Sequence, residues 1–302
     1  MSGEGPDALA GRHAWADGRL VAADVAHLSA FDRGFQLGDG VFETLRARGG
    51  RVVELGEHLD RLRRSASGLA IELPRDLDGR IAGAIGELLR ADDLDGPDAD
   101  ASIRITISRG TFASRSLLPG GDVPPTIIVQ AWPVQPAPAS HLEQGLHLVV
   151  SSVRRDPENP LAALKTTSRA DYVYARLEAR RAGADDALFL TVDGHLSEAT
   201  SANVFLIHGT RLETPSLACA ILPGTTRSWL LAWAEGVGLD PAETFLTSRD
   251  LAEADEAFVC SSVAGILPVT RFEGHPIGSG RPGPWTARAR ADREAFIRGG
   301  GE

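Results

Sequence analysis

The sequence predicts an α+β protein of two domains, on three observations. Runs with the two-residue period of a strand are interleaved, in both halves of the chain, with runs spaced for a helix. One proline-rich stretch, "PVQPAPAS" from Pro133 to Ser140, separates those halves with a stiff, extended connection. The length, 302 residues, suits one large domain or two ordinary ones. The expected organisation is a small N-terminal α/β domain over residues 1–132, a linker over 133–145, and a large C-terminal domain over 146–302 that contains Lys165.

Each element has its own signal. "VFETLRARGGRVVELGEH" places two strand-like runs around Gly49-Gly50, a hairpin. "EHLDRLRRSASGLAI" carries Leu59, Leu62, Ala66 and Leu69 at helical spacing, and "LDGRIAGAIGELLRAD" repeats that pattern. "ASIRITIS" and "PPTIIVQAW" alternate as strands. Beyond the linker, "LHLVVSSV" predicts a strand and Thr167 to Ala182 a helix. "DALFLTVDGHLSEAT" reads as two extended runs around an Asp193-Gly194 turn, and "ANVFLIHGTRLETP" as another hairpin. "GTTRSWLLAWAEGVG" opens and closes a helix at glycines, "EAFVCSS" is a short buried strand, and "GPWTARARADREAFIRGG" a C-terminal helix.

Composition narrows the function. A net charge of −10 argues against a nucleic-acid or anionic-membrane surface. The start, "MSGEGPDALAG", lacks the basic and apolar regions of a signal peptide, and no apolar run has the length of a membrane span. Two cysteines, Cys219 and Cys260, make no disulfide framework, so a cytoplasmic location is expected. Eight scattered histidines show no ligand spacing, which argues against a metal enzyme.

Of 31 Lys plus Arg residues, only Lys165 is a lysine. Arginine replaces lysine at most surface positions, but not where an amine must lose its proton and attack a carbonyl. Three further features complement such an amine. Glu198 follows a strand and a turn in "GHLSEATSANVF". Arg61 lies on the first long helix, in "HLDRL". "LPGTTR" puts Gly224, Thr225 and Thr226 at a helix N-terminus, where free backbone N–H groups and the helix dipole favour phosphate. "CSSVAG" adds the hydroxyls of Ser261 and Ser262 after a strand. A lysine, an acid and a phosphate turn together suit pyridoxal 5′-phosphate (PLP), whose aldehyde, ring nitrogen and phosphate need one group each.

These segments, with "FDRGFQLGDGVFET", "LKTTS", "LETP" and "EAFVCSSVAGILPV", resemble the class IV, fold type IV, PLP enzymes. That family includes branched-chain and D-amino-acid aminotransferases, (R)-amine transaminases and aminodeoxychorismate lyases. The resemblance spans nearly the whole chain, with Thr225 a departure from the usual aliphatic residue. It implies that Lys165 carries PLP as a Schiff base and moves the substrate proton. It implies that Glu198 pairs with the ring nitrogen, that Leu222 touches the ring face, that Arg61, Thr225, Thr226 and Ser262 hold the phosphate, and that Ser261 is a further cofactor-binding residue. Asn203 is expected to support the loop. A homodimer with a shared active site is also implied. A non-catalytic PLP-binding protein would be credible only if Lys165, Glu198 or Arg61 were missing.

Substrate residues are sought at Phe42, Thr44, Arg109, Arg115 and Arg169. The Arg-x-His carboxylate trap of D-amino-acid enzymes aligns with Ser114 and Ser116, so the usual trap is missing; Arg115 or Arg109 can substitute only with a changed loop, and Arg115 is the expected anchor. Thr44 stands where branched-chain enzymes carry glycine. These residues point to a transaminase for D-amino acids or (R)-amines, with a 2-oxo acid as acceptor. Thr44 and Arg169 also suit the alternative, an aminodeoxychorismate lyase that forms 4-aminobenzoate and pyruvate. Their plain structural readings are a strand residue and a helix-surface charge.

Overall fold

The computed structural model describes residues 9–25, 27–114 and 116–300. Its contacts group the chain into two units. The first comprises residues up to Val134, the segment Leu164–Ser168 and the last residues from Gly300; the second comprises Gln135–Ala163 and Arg169–Gly299.

The first unit holds β1 (His13–Ala16), β2 (Arg19–Ala22), α1 (Arg33–Leu37), β3 (Gly40–Arg48), β4 (Arg51–Val52), α2 (Leu55–Gly68), α3 (Leu77–Ala91), β5 (Asp100–Ser108) and β6 (Thr126–Pro133). The strands form one antiparallel sheet in the order β2-β1-β6-β5-β3-β4. Gly49 and Gly50 both take positive φ, 57° and 74°, which is what a two-residue hairpin turn between β3 and β4 demands. Alternation along β3, β5 and β6 gives the sheet two different faces. Val41, Leu45, Ile103, Ile105 and Val129 join one buried cluster with Leu59 and Leu62 of α2 and Ile81 and Leu88 of α3. Phe42, Thr44, Arg104 and Thr106 occupy the alternate positions, with Thr44 paired to Arg104 and Phe42 to Thr106.

Chain order places Lys165 in the C-terminal half, but its backbone belongs to this first unit. The Phe42 N–H donates to the Lys165 carbonyl at 2.9 Å, and the Thr167 N–H to the Gly40 carbonyl at 2.9 Å. Val41 and Thr166 form an antiparallel bridge there. This pairing explains why the helix expected from Thr167 begins later, as α5, at Ala170.

The second unit holds α4 (Ala139–Glu143), β7 (Leu146–Arg155), α5 (Ala170–Arg181), β8 (Asp186–Thr191), β9 (Leu196–Ala199), β10 (Asn203–His208), β11 (Arg211–Pro215), α6 (Thr225–Val237), β12 (Asp240–Thr244), α7 (Ser248–Glu253), β13 (Glu256–Ser261), β14 (Gly265–Phe272), β15 (His275–Pro276) and α8 (Pro284–Gly299). Its sheet is mixed, in the order β12-β11-β10-β13-β14-β7-β8-β9, with β15 on β14. Parallel pairs β7–β8 and β11–β12 are connected through α5 and α6, as parallel neighbours require a crossover. All of β8 is buried, with Leu188 and Leu190 in one cluster and Ala187 and Phe189 in another, so both faces of that strand are covered. The expected linker is not uniformly extended: β6 runs through Pro133, and α4 forms directly after Pro138. Among the described residues, no helix is long and apolar enough to cross a membrane.

Candidate active site

In the first unit, Lys165 is fixed by its backbone and aimed by its neighbours. Its N–H donates to Ser65 Oγ on α2 at 3.0 Å. Its Nζ lies 4.6 Å from the centre of the Phe42 ring. The Arg104 guanidinium lies 3.9 Å from that same ring. The Phe42 side chain of β3 therefore contacts both an amine and, from β5, a guanidinium, with Thr44 next to Arg104 in register.

Arg61 is buried and carries a precise partner. Its Nε and Nη2 donate to the two oxygens of Glu43, each at 2.7 Å, and His58 Nδ1 lies 2.7 Å from Glu43 Oε2. Burial pulls the Glu43 carboxyl upward, but the hydrogen bonds and charges of Arg61 and His58 outweigh it and bring its pKa down to about 2.

In the second unit, one short segment links an acid to a helix N-terminus. Glu198, on β9, is buried. Its Oε2 accepts from the Leu222 N–H at 2.9 Å and its Oε1 from the Tyr172 hydroxyl at 3.3 Å, with Arg155 Nη2 at 3.8 Å. Asn203 Nδ2 holds the Leu222 carbonyl at 3.0 Å. Two residues on, Gly224 caps α6 in an extended conformation with no side-chain cap. A Cβ there would fall on Asn203 Oδ1, so only glycine lets the turn pack so closely. The Thr225 and Ser262 hydroxyls lie 3.3 Å apart, and Arg293 Nη2 reaches Thr226 Oγ1 at 3.5 Å. A helix N-terminus with neighbouring hydroxyls suits a phosphate. A buried carboxylate held by two donors suits a protonated ring nitrogen, and Leu222 joins the two. The residues present thus fit the chemistry of PLP.

A model of the amino-transferase class IV family matches residues 40–272. The chain belongs to the class IV aminotransferases. It is 35% identical to a Methanocaldococcus jannaschii protein provisionally assigned as a branched-chain-amino-acid aminotransferase, across 91% of this chain and 92% of that one. It is 31% identical to the D-alanine aminotransferase of Bacillus licheniformis (89% and 92% covered) and 31% identical to the aminodeoxychorismate lyase of Bacillus subtilis (88% of each). The crystal structure of the Escherichia coli branched-chain amino acid aminotransferase superposes with a TM-score of 0.89 at 28% identity, over 97% of this chain and 96% of the other. The α+β architecture is fold type IV.

Several expected site residues of this class IV aminotransferase stand differently from their sequence reading. Arg109 is not available as a carboxylate anchor. Its Nε and Nη2 donate to Asp39 at 2.8 and 3.0 Å, its Nη1 to the Ala70 carbonyl at 2.8 Å and its Nη2 also to that of Leu69 at 2.5 Å. Ala70, with φ of 50°, ends α2 in a left-handed turn that presents those carbonyls. Arg115 lies outside the described residues. Arg169 is more than a helix-surface charge: it stacks 3.0 Å from the Tyr172 ring centre and donates to the Thr200 carbonyl at 3.0 Å. Ser262 reaches the α6 turn, whereas Ser261 lines a cavity of about 130 Å³ with Arg176, Asp186 and Cys260. Successive residues leaving a strand face opposite ways, which separates the two serines.

Four residues with defined places were not singled out in the sequence. Glu43 and Arg104 sit beside Phe42 and Thr44 but look like ordinary strand charges. Ser65, four residues after Arg61, shares its helix face, a spacing that was readable. Tyr172 is held by burial and the Glu198 charge as a phenol, its pKa pushed up to about 12, so it donates to Glu198 throughout the neutral range.

Proposed function

We propose that this class IV aminotransferase is a transaminase that moves an amino group between a D-amino acid or an (R)-primary amine and a 2-oxo acid. Its cofactor is PLP. When bound, PLP supplies the electron sink that lets the substrate carbon release its proton. Lys165 Nζ binds the cofactor and carries that proton. Glu198 keeps the ring nitrogen protonated, and the Tyr172 hydroxyl and Leu222 N–H hold Glu198 in place. Arg61, the N–H groups of Thr225 and Thr226, and Ser262 take the phosphate, and Leu222 the ring face.

The observation that carries the substrate reading is the pairing of Lys165 Nζ and the Arg104 guanidinium on the Phe42 ring. It supports an amino acid whose carboxylate meets Arg104 while its amino group meets the lysine site. Thr44, in place of glycine, disfavours a branched-chain substrate, and the serines at 114 and 116, which leave out the usual carboxylate trap of D-amino-acid enzymes, favour a pocket that takes (R)-amines as well as D-amino acids. Arg169, drawn towards the strand of Glu198, favours the second reading, an aminodeoxychorismate lyase. The exposed Phe31, Phe35, Leu117 and Leu118 support a homodimer, since Arg33 ties their segments together through the Ser116 and Leu117 carbonyls. The composition supports a cytoplasmic enzyme.

The deciding experiment supplies D-alanine, an (R)-amine, L-valine and aminodeoxychorismate in parallel, the first three with 2-oxoglutarate. Glutamate formed from D-alanine or the (R)-amine is the expected result. Transfer from L-valine alone overturns the substrate reading, and pyruvate from aminodeoxychorismate without any 2-oxo acid establishes the lyase. Lys165→Ala is expected to abolish turnover, and borohydride to fix the cofactor at Lys165 in the parent enzyme, as peptide mass spectrometry would show.

A further inference from the structure

We propose that Glu43 and His58 are positioning residues for the cofactor phosphate: they lock the Arg61 guanidinium in the orientation in which it meets that anion. The proposal rests on the reading of Arg61 as a phosphate ligand. Arg61 gives two donors to the two oxygens of Glu43, and His58, three residues earlier on α2, grips one of those oxygens. The three side chains are 3%, 0% and 1% exposed. A bidentate guanidinium–carboxylate pair fixes the plane of the guanidinium as well as its direction. Any other Arg61 rotamer breaks two charge-assisted hydrogen bonds away from water, where they are strongest. The rotamer entropy that a mobile arginine loses on binding an anion is here lost at folding.

The clamp is joined to the lysine. Glu43 directly follows Phe42, whose N–H holds the Lys165 carbonyl. Ser65, one turn beyond Arg61, holds the Lys165 N–H. One strand and one helix therefore set where the phosphate-binding arginine stands relative to the aldehyde-binding lysine. A second bidentate pair, Arg46 with Asp100 at 2.8 and 2.5 Å, lies towards the other end of β3 and serves as a comparison without that link.

The test measures dissociation constants for PLP and for pyridoxal, which lacks the phosphate, by absorbance titration of the full chain stripped of cofactor. Glu43→Gln is expected to weaken PLP by about tenfold, the scale of one charge-assisted hydrogen bond, while leaving pyridoxal within about twofold. His58→Gln should shift the PLP-to-pyridoxal ratio in the same direction. Asp100→Asn should lower thermal stability without moving the ratio. If Arg61→Ala moves the ratio but Glu43→Gln moves it no more than Asp100→Asn, the positioning role is overturned. If Arg61→Ala leaves the ratio unchanged, the phosphate reading of Arg61 fails and the clamp with it. Should Glu43→Gln not fold, His58→Gln decides: an unchanged ratio overturns the proposal.

Discussion

The Leu222 N–H donates to Glu198 Oε2 at 2.9 Å, and this bond ties the buried acid to the turn that opens α6 two residues later. The acid proposed to meet the cofactor's ring nitrogen is thereby bonded to the turn proposed to meet its phosphate. Glu198→Gln keeps the shape of the side chain and removes its charge. The expected outcome is a fall in kcat of roughly 10²- to 10³-fold, the scale of losing one electrostatic stabiliser, with cofactor retained. Half-reaction rates and cofactor content by absorbance check this; activity within about twofold of the parent would remove the acid from the mechanism.

Arg104 and Arg109 make opposite predictions. Arg104→Ala should raise KM for D-alanine by about tenfold or more and leave an (R)-amine without a carboxylate unaffected. Arg109→Ala should leave that contrast intact and destabilise the chain by about 2 kcal/mol, because Asp39 and the α2 carbonyls lose their donor. The Asp39 carboxyl lies below its ordinary range, since Arg109 and Arg33 outweigh the upward pull of burial. Steady-state kinetics and thermal melts on both variants separate the two roles.

Glu43 gives a pH dependence of defined sign. Its folded pKa is depressed to about 2 from an ordinary 4.5, so its stabilisation is fully present above pH 4.5 and is lost as pH falls towards 2. The amount is on the order of 3 kcal/mol. Melting temperatures of the parent and Glu43→Gln should differ most at neutral pH and converge on acidification. A gap that stays constant from pH 7 to 3 would contradict the ion pair.

Gly224→Ala places a methyl on Asn203 Oδ1. Overpacking of this kind costs about 1–3 kcal/mol, and displacement of Asn203 frees the Leu222 carbonyl. A lower melting temperature and weaker PLP retention are expected. Asn203→Ser should relieve part of the Gly224→Ala penalty, a non-additivity that a double-mutant cycle measures.

Much of this protein was readable along the chain. Gly49-Gly50, the alternation of β5 and the helical spacing of Leu59, Leu62 and Ala66 are local signals, and the corresponding elements follow them. Lys165 stood out because arginine had replaced every other lysine, and Glu198, Leu222 and the "GTT" turn lie close together in sequence, so their chemistry could be read as one motif. The sequence by itself thus determined these elements, the family and the residues suited to PLP, whereas short elements such as β1, β2, α1, α4 and α7 carry too few residues for a periodic signal.

The tertiary structure decided which charges meet. Arg61 and Arg109 both read as cations open to an anion; one is clamped by Glu43 and the other is committed to Asp39 and two helix-end carbonyls. Arg104 gained its place only because antiparallel pairing sets it beside Thr44, on the side of the sheet where Phe42 carries the Lys165 amine. Even the position of Lys165 follows from a strand edge more than a hundred residues earlier. The physical reason is common to all four. Periodicity and turn chemistry are encoded between near neighbours, whereas the direction of a charged side chain is set by desolvation and by partners that only folding brings within hydrogen-bond reach.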